Sequence, residues 1–103
     1  MDKTKQAKLE ASGWVVGTPK ALLNLSFEDE VFINIKTDLA ATFRKQRLDQ
    51  ELSQVVVARR LHSSQSRVAK MEAADPSVTV DLLIRSILRL GGTRETVAAA
   101  LDR

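Results

Sequence analysis

Cysteine is absent and histidine occurs once, at His62. Without cysteine there is no disulfide framework, and one histidine leaves no Cys/His zinc site, so redox and zinc chemistry drop out. No stretch approaches the roughly 18 consecutive apolar residues of a membrane span, and Met1-Asp2-Lys3-Thr4-Lys5 leads into polar sequence instead of a signal-peptide hydrophobic region. A cytoplasmic location with no membrane partner is therefore expected. A Gly-rich phosphate loop is also missing, and Ser63, Ser64 and Ser66 lack the context of a nucleophile elbow or a Ser-x-x-Lys motif. These absences argue against an enzyme: no catalytic residue, metal or cofactor is expected. No segment alternates with a period of two, which argues against a sheet.

What is present is a globular balance, with 44% hydrophobic and 28% charged residues in a chain of 103. That length has room for one core and one domain. The formal charge is +3, and its distribution says more than its size. Between Arg44 and Lys70 lie seven basic residues (Arg44, Lys45, Arg47, Arg59, Arg60, Arg67 and Lys70) against only Asp49 and Glu51. Positive charge is thus concentrated in the middle of the chain, as an anionic partner requires. Glu28-Asp29-Glu30 reads as favourable negative charge at a helix N-terminus, not as a catalytic carboxylate pair.

Along the chain, residues 1–12 read as a loose tail, followed by a short apolar run, Trp14-Val15-Val16. Thr18-Pro19 opens a brief helix through Leu22-Leu23. Residues 1–26 are thus expected as tail and short helix, and 27–103 as the main domain. Ser26 with Asp29 approximates a capping box, with Leu25 as a staple, so a long helix starts at Phe27 and runs to about Arg47 on a stripe of Val31, Ile35, Leu39 and Phe43. Ser53 caps a second helix with Val55, Val57, Ala58 and Leu61 inward. Ser64 caps a third, with Val68 and Met71 inward, ending near Glu72. Pro76 blocks continuation, Thr79 caps a Leu-rich fourth helix, Gly91-Gly92 stops it, and Thr93 caps the last. The expectation is an all-α fold of five or six helices.

The segment from Leu52 to Glu72 resembles the helix-turn-helix of the Cro/C1-type repressors, also called the XRE family. The matching positions are Leu52-Ser53-Gln54, Ala58, Leu61, Ser64-Gln65, Val68, Met71 and Glu72. More widely, Gly13-Trp14-Val15-Val16-Gly17-Thr18, the long helix and Asp75-Pro76-Ser77-Val78 resemble HigA-like antitoxins of toxin–antitoxin modules. The resemblance implies a lambda-repressor-like DNA-binding domain. The chain departs from the family pattern where His62 stands in a turn that often carries Gly, since one residue there needs positive φ. Glu51 replaces another frequent Gly, leaving the geometry of that loop open. No partner constellation accompanies His62 to make it a pH switch or a base.

With Val68 and Met71 inward, helical spacing turns Gln65, Ser66, Ala69 and Lys70 outward and leaves Arg67 at the edge. In a major groove, Gln65 pairs with adenine, Lys70 donates to guanine, Ala69 touches a thymine methyl, and Arg67 reaches a base or a phosphate. By resemblance, Gln54 contacts phosphate, with Arg44, Lys45 and Ser64 as further candidates. Arg47 and Glu72 match a family pair that bridges the long helix to the end of the recognition helix. The resemblance further implies a transcriptional repressor acting as a homodimer on a near-palindromic operator in double-stranded DNA. The antitoxin form would also bind a ribosome-dependent RNase toxin and repress its own operon. A stand-alone or phage-type repressor, and an interaction module without DNA binding, are the alternatives. Leu83, Ile87, Leu90, Val97 and Leu101 are candidates for either dimer or core contacts, and Trp14 to Val16 for either toxin or dimer.

Overall fold

The structure, a computed structural model, describes residues 26–102. The tail and brief helix expected over residues 1–26, Trp14 to Val16 included, lie outside the described residues except for Ser26. Within them the chain forms five α-helices and no strand: α1 (Phe27–Asp49), α2 (Gln54–Arg60), α3 (Gln65–Glu72), α4 (Val80–Arg89) and α5 (Arg94–Leu101). No helix among the described residues is long and apolar enough to cross a membrane.

Each helix begins on a hydroxyl. The Ser26 side chain accepts the Asp29 N–H, and Ser53, Ser64, Thr79 and Thr93 accept those of Val56, Arg67, Leu82 and Thr96. Thr96 returns a bond to the Thr93 N–H, closing a reciprocal capping box. A side-chain cap of this kind is worth about 1 kcal/mol because it satisfies an otherwise orphaned donor. For α2 and α3, each about two turns long, such local support matters: short helices are marginal in water without it.

The helix ends share a second device. After α1, α2, α3 and α4 the chain places one residue in the left-handed region: Glu51 (φ 57°), His62 (φ 53°), Ala74 (φ 54°) and Gly91 (φ 95°). The next N–H then reaches back to a carbonyl five residues earlier: Leu52 to Arg47, Ser63 to Ala58, Asp75 to Lys70, and Gly92 to Ile87, at 2.8–3.0 Å. This is the Schellman arrangement, which normally favours glycine. Only the last of the four turns has one, so three side-chain-bearing residues are held in a conformation that costs roughly 1–2 kcal/mol each. Beyond α3, Asp75 forms a small turn in which the Ser77 N–H and hydroxyl donate to its carboxylate. Those bonds hold the Asp75 carboxyl below the usual carboxylate range.

The core draws on every helix: Leu39, Ala40 and Phe43 from α1, Val57 and Ala58 from α2, Val68 and Met71 from α3, Leu83 and Ile87 from α4, and Ala100 from α5, with Val78 and Leu90 from the connections. Ile35 packs at its margin. Three expectations need correcting. Val31 continues the α1 stripe in sequence but is 38% exposed, and Val55 is 50% exposed at the start of α2 because only Val57 and Ala58 of that helix point inward. Helix α1 also runs two residues past Arg47, to Asp49.

Side chains of α1, and that of Gln50 just beyond its end, hold down the far ends of other elements. Gln46 Nε2 donates to the Ile87 carbonyl at 3.1 Å, Gln50 Nε2 to the Leu90 carbonyl at 2.9 Å, and Lys36 Nζ to the Asp75 carbonyl at 2.9 Å. The first contact requires a bare backbone beside it. A Cβ on Gly92 would sit 2.7 Å from Gln46 Nε2 and from Ile87 Cγ2, and 2.8 Å from the Ile87 carbonyl oxygen.

Two substitutions test this account of the helix ends in urea denaturation. Gly92→Ala should cost about 1–3 kcal/mol through overpacking. Ala74→Gly should be neutral to stabilising by up to roughly 1 kcal/mol, since relief of the left-handed strain exceeds the added chain entropy. A destabilising Ala74→Gly would show that the strain is not there.

Candidate functional site

Helices α2 and α3 pack against each other across a short turn, Leu61 to Ser64. Their facing sides are apolar, with Val57, Ala58, Val68 and Met71 all buried. The consequence for α3 follows from helical spacing: Gln65, Ser66, Arg67 and Lys70 are exposed on its outer side, while Ala69 is half-buried. Arg59 and Arg60, in the last turn of α2, are exposed as well.

Glu72, the last residue of α3, turns inward with a side chain only 6% exposed. A carboxylate in such a place must be matched by charge and hydrogen bonds or it destabilises the fold. Arg47 of α1, itself 12% exposed, supplies the match. Its Nε and Nη2 donate to the two carboxylate oxygens, the second at 3.0 Å, as a forked pair. The remaining Nη1 donates to the Leu52 carbonyl at 2.9 Å, just before α2. The bond to Glu72 holds the Arg47 guanidinium proton more tightly than usual, despite the opposing effect of burial.

The same carboxylate reaches further. Gln54 Nε2, on the first residue of α2, donates to Glu72 Oε1 at 3.1 Å, and Gln54 Oε1 accepts from Gln65 Nε2, on the first residue of α3, at 2.6 Å. A continuous path thus runs from Gln65 through Gln54, Glu72 and Arg47 to the Leu52 carbonyl. Gln54 spends one amide proton and its carbonyl oxygen on this path, so a phosphate contact by its side chain falls to the second amide proton.

Of the other candidates for phosphate, Arg44 lies one turn before Arg47 on α1, its Nε 3.7 Å from Glu72 Oε1 with the side chain 58% exposed. Lys45 pairs with Asp49 at 2.7 Å on the open surface, a contact worth under about 1 kcal/mol that releases easily. Ser64 Oγ is occupied as an acceptor by the Arg67 N–H. Arg44, Gln54, Gln65 and Glu72 are therefore linked, whereas Lys45 belongs to a separate exposed pair.

Sequence reasoning missed the Gln54–Gln65 bond, the Leu52 carbonyl as an acceptor and the approach of Arg44 to Glu72. Both glutamines occupy the first position of their helices, but nothing in the sequence gives the crossing that brings those positions together. No cluster of three or more His, Cys, Asp or Glu suited to a metal occurs among the described residues. Searches of protein-family models, curated proteins and solved structures give no match to this chain.

The burial contrast generates a prediction for stability. Glu72→Ala, which strands Arg47 in a mostly dry site, should cost about 3–5 kcal/mol. Arg44→Ala, removing an exposed and longer contact to the same carboxylate, should cost less than about 1 kcal/mol. Chemical denaturation of the two variants checks the ordering, and equal effects would contradict the network as described.

Proposed function

We propose that this chain is a sequence-specific double-stranded DNA-binding repressor of the helix-turn-helix type, with α3 as its recognition helix. The observation that carries the reading is the pairing of an anchored inner side with a polar and basic outer one. Glu72 fixes the end of α3 to α1, while Gln65, Ser66, Arg67 and Lys70 face solvent. An α-helix fits the major groove, and these residue types supply the donors and acceptors that base edges recognise. In this reading Gln65, Arg67 and Lys70 read bases, with Ser66 and the half-buried Ala69 in support. Arg44, Lys45, Gln54 and Ser64 hold the backbone, and the link from Gln54 sets the rotamer of Gln65 before DNA arrives.

The lambda-repressor-like resemblance of Leu52 to Glu72 supports the same reading, and the HigA-like resemblance favours an antitoxin that represses its own operon and binds a small RNase toxin. Phe32 and Ile33 of α1, both about half exposed, give that protein partner an apolar surface to meet. A single helix reads only a few base pairs, so two copies on a near-palindromic operator supply the specificity that one lacks. No catalysis, metal or cofactor enters the proposal.

Fluorescence anisotropy against the duplex upstream of the chain's own gene, with a scrambled duplex as control, tests it. At moderate salt the upstream duplex should bind at least a thousandfold more tightly than the control. Gln65→Ala should weaken specific binding by about 1–3 kcal/mol and flatten preference at one base pair. Equal, weak binding to both duplexes that vanishes with salt would leave a merely electrostatic surface and favour the protein-interaction alternative.

A further inference from the structure

Glu72 ties α3 to α1, but a single tie fixes a point and not an axis. The fork from Arg47 resists rolling of α3 about its own length. It leaves α3 free to swing about that point, and a swing carries Gln65, at the other end of the helix, across base edges. The bond from Gln65 to Gln54 joins two side chains in contact with water and resists the swing only weakly.

A second tie lies just beyond α3. Asp75 follows the left-handed Ala74, and its N–H closes the end of the helix on the Lys70 carbonyl at 3.0 Å. Its carboxylate accepts the Ser77 N–H and hydroxyl, its carbonyl accepts the Val78 N–H at 2.9 Å, and Pro76 supplies the fixed φ that suits the second position of such a turn. The peptide group of Asp75 is thereby held on both sides, and its carbonyl also accepts from Lys36 Nζ of α1 at 2.9 Å. Lys36 is half-buried, and a bond from an ammonium is roughly twice as strong as one between neutral groups. The Asp75 carboxylate also feels the charges of Lys70 and Lys36, both of which favour its ionised form.

We propose that Lys36 and Asp75 are positioning residues for DNA reading: with Arg47 and Glu72 they form a two-point strap that fixes the direction of the α3 axis on α1. Lys36 and Arg47 stand about 16 Å apart along α1, at 1.5 Å per residue. Two ties that far apart on one helix remove the swing that either alone permits. In this role Lys36 and Asp75 touch neither base nor phosphate and act only through α3, whereas Arg44 and Gln54 meet the DNA backbone directly. The consequence for selectivity rests on the DNA-binding reading given above, while the strap itself belongs to the free chain.

Lys36→Met, which keeps the apolar stem and removes the donor, and Asp75→Ala, which removes the carboxylate, test the strap in the full chain. Without DNA, amide hydrogen exchange at Ala73, Ala74 and Asp75, whose N–H groups close the end of α3, should quicken in both variants, while exchange at Val57 in α2 stays as it was. With DNA, preference for the upstream duplex over the scrambled one should fall by about tenfold in each, the worth of one base contact, with binding to the scrambled duplex unchanged. The double variant should lose little more than either single one, because both act through one tie. Asp75→Asn, which keeps an acceptor for the Ser77 N–H, should retain the preference. A loss of folded protein would instead weaken binding to both duplexes together, and circular dichroism melts report it. Unchanged preference in folded Lys36→Met and Asp75→Ala would overturn the proposal. A wild-type chain with no preference of its own would sink the DNA-binding reading separately, and unchanged exchange in the two variants would then overturn the strap.

Discussion

Glu72 carries a carboxylate into a place where it is almost wholly removed from water, and the geometry around it follows from the need to satisfy that charge. The cost of burying an ion is several kcal/mol even after the protein relaxes, so it is tolerated only with a well-formed partner and further hydrogen bonds. Arg47 provides the forked partner, Gln54 a third bond, and the Leu52 carbonyl occupies the rest of the guanidinium. Three helices converge on one side chain. Were α3 to roll or slide, the fork would lengthen and leave the charge stranded, so the carboxylate fixes the rotation of α3 as well as its attachment.

That fixed rotation is what the functional proposal depends on. Valine and methionine at positions 68 and 71 set which side of α3 is apolar, but apolar contacts are non-directional and permit small rotations. The hydrogen-bonded path supplies direction. It also extends to the outer surface, because Gln65 is bonded to Gln54 and Gln54 to Glu72. A side chain proposed to read a base is thus held from behind by a chain of contacts ending in the core. Such a link lowers the entropy lost on binding, the general advantage of preorganisation.

Much of the fold is legible in the sequence because it is local. Ser26, Ser53, Ser64, Thr79 and Thr93 announce helix starts through chemistry within four residues, and each is found capping a helix. The αL conformation of His62 follows from the family resemblance, in which that turn often carries Gly, whereas Ala74 gives no such sign, since alanine has no preference for positive φ. Periodicity proves less reliable at helix ends. Val31 and Val55 keep the expected spacing yet remain exposed, and neither belongs to the core cluster or to the apolar residues packed against it. The Arg47–Glu72 pairing comes from a family resemblance, but the glutamine bridge depends on how α2 crosses α3, which is a property of packing.

Whether the outer side of α3 is the reading surface is tested by chemical-shift mapping of the isotopically labelled chain titrated with the duplex upstream of its gene. The largest backbone and side-chain perturbations are expected at Gln65, Ser66, Arg67 and Lys70, smaller ones at Gln54 and Arg44, and little change at the core residues Leu83 and Ile87. Perturbations centred on α4, or an absence of any change at α3 when the duplex is bound, would contradict it.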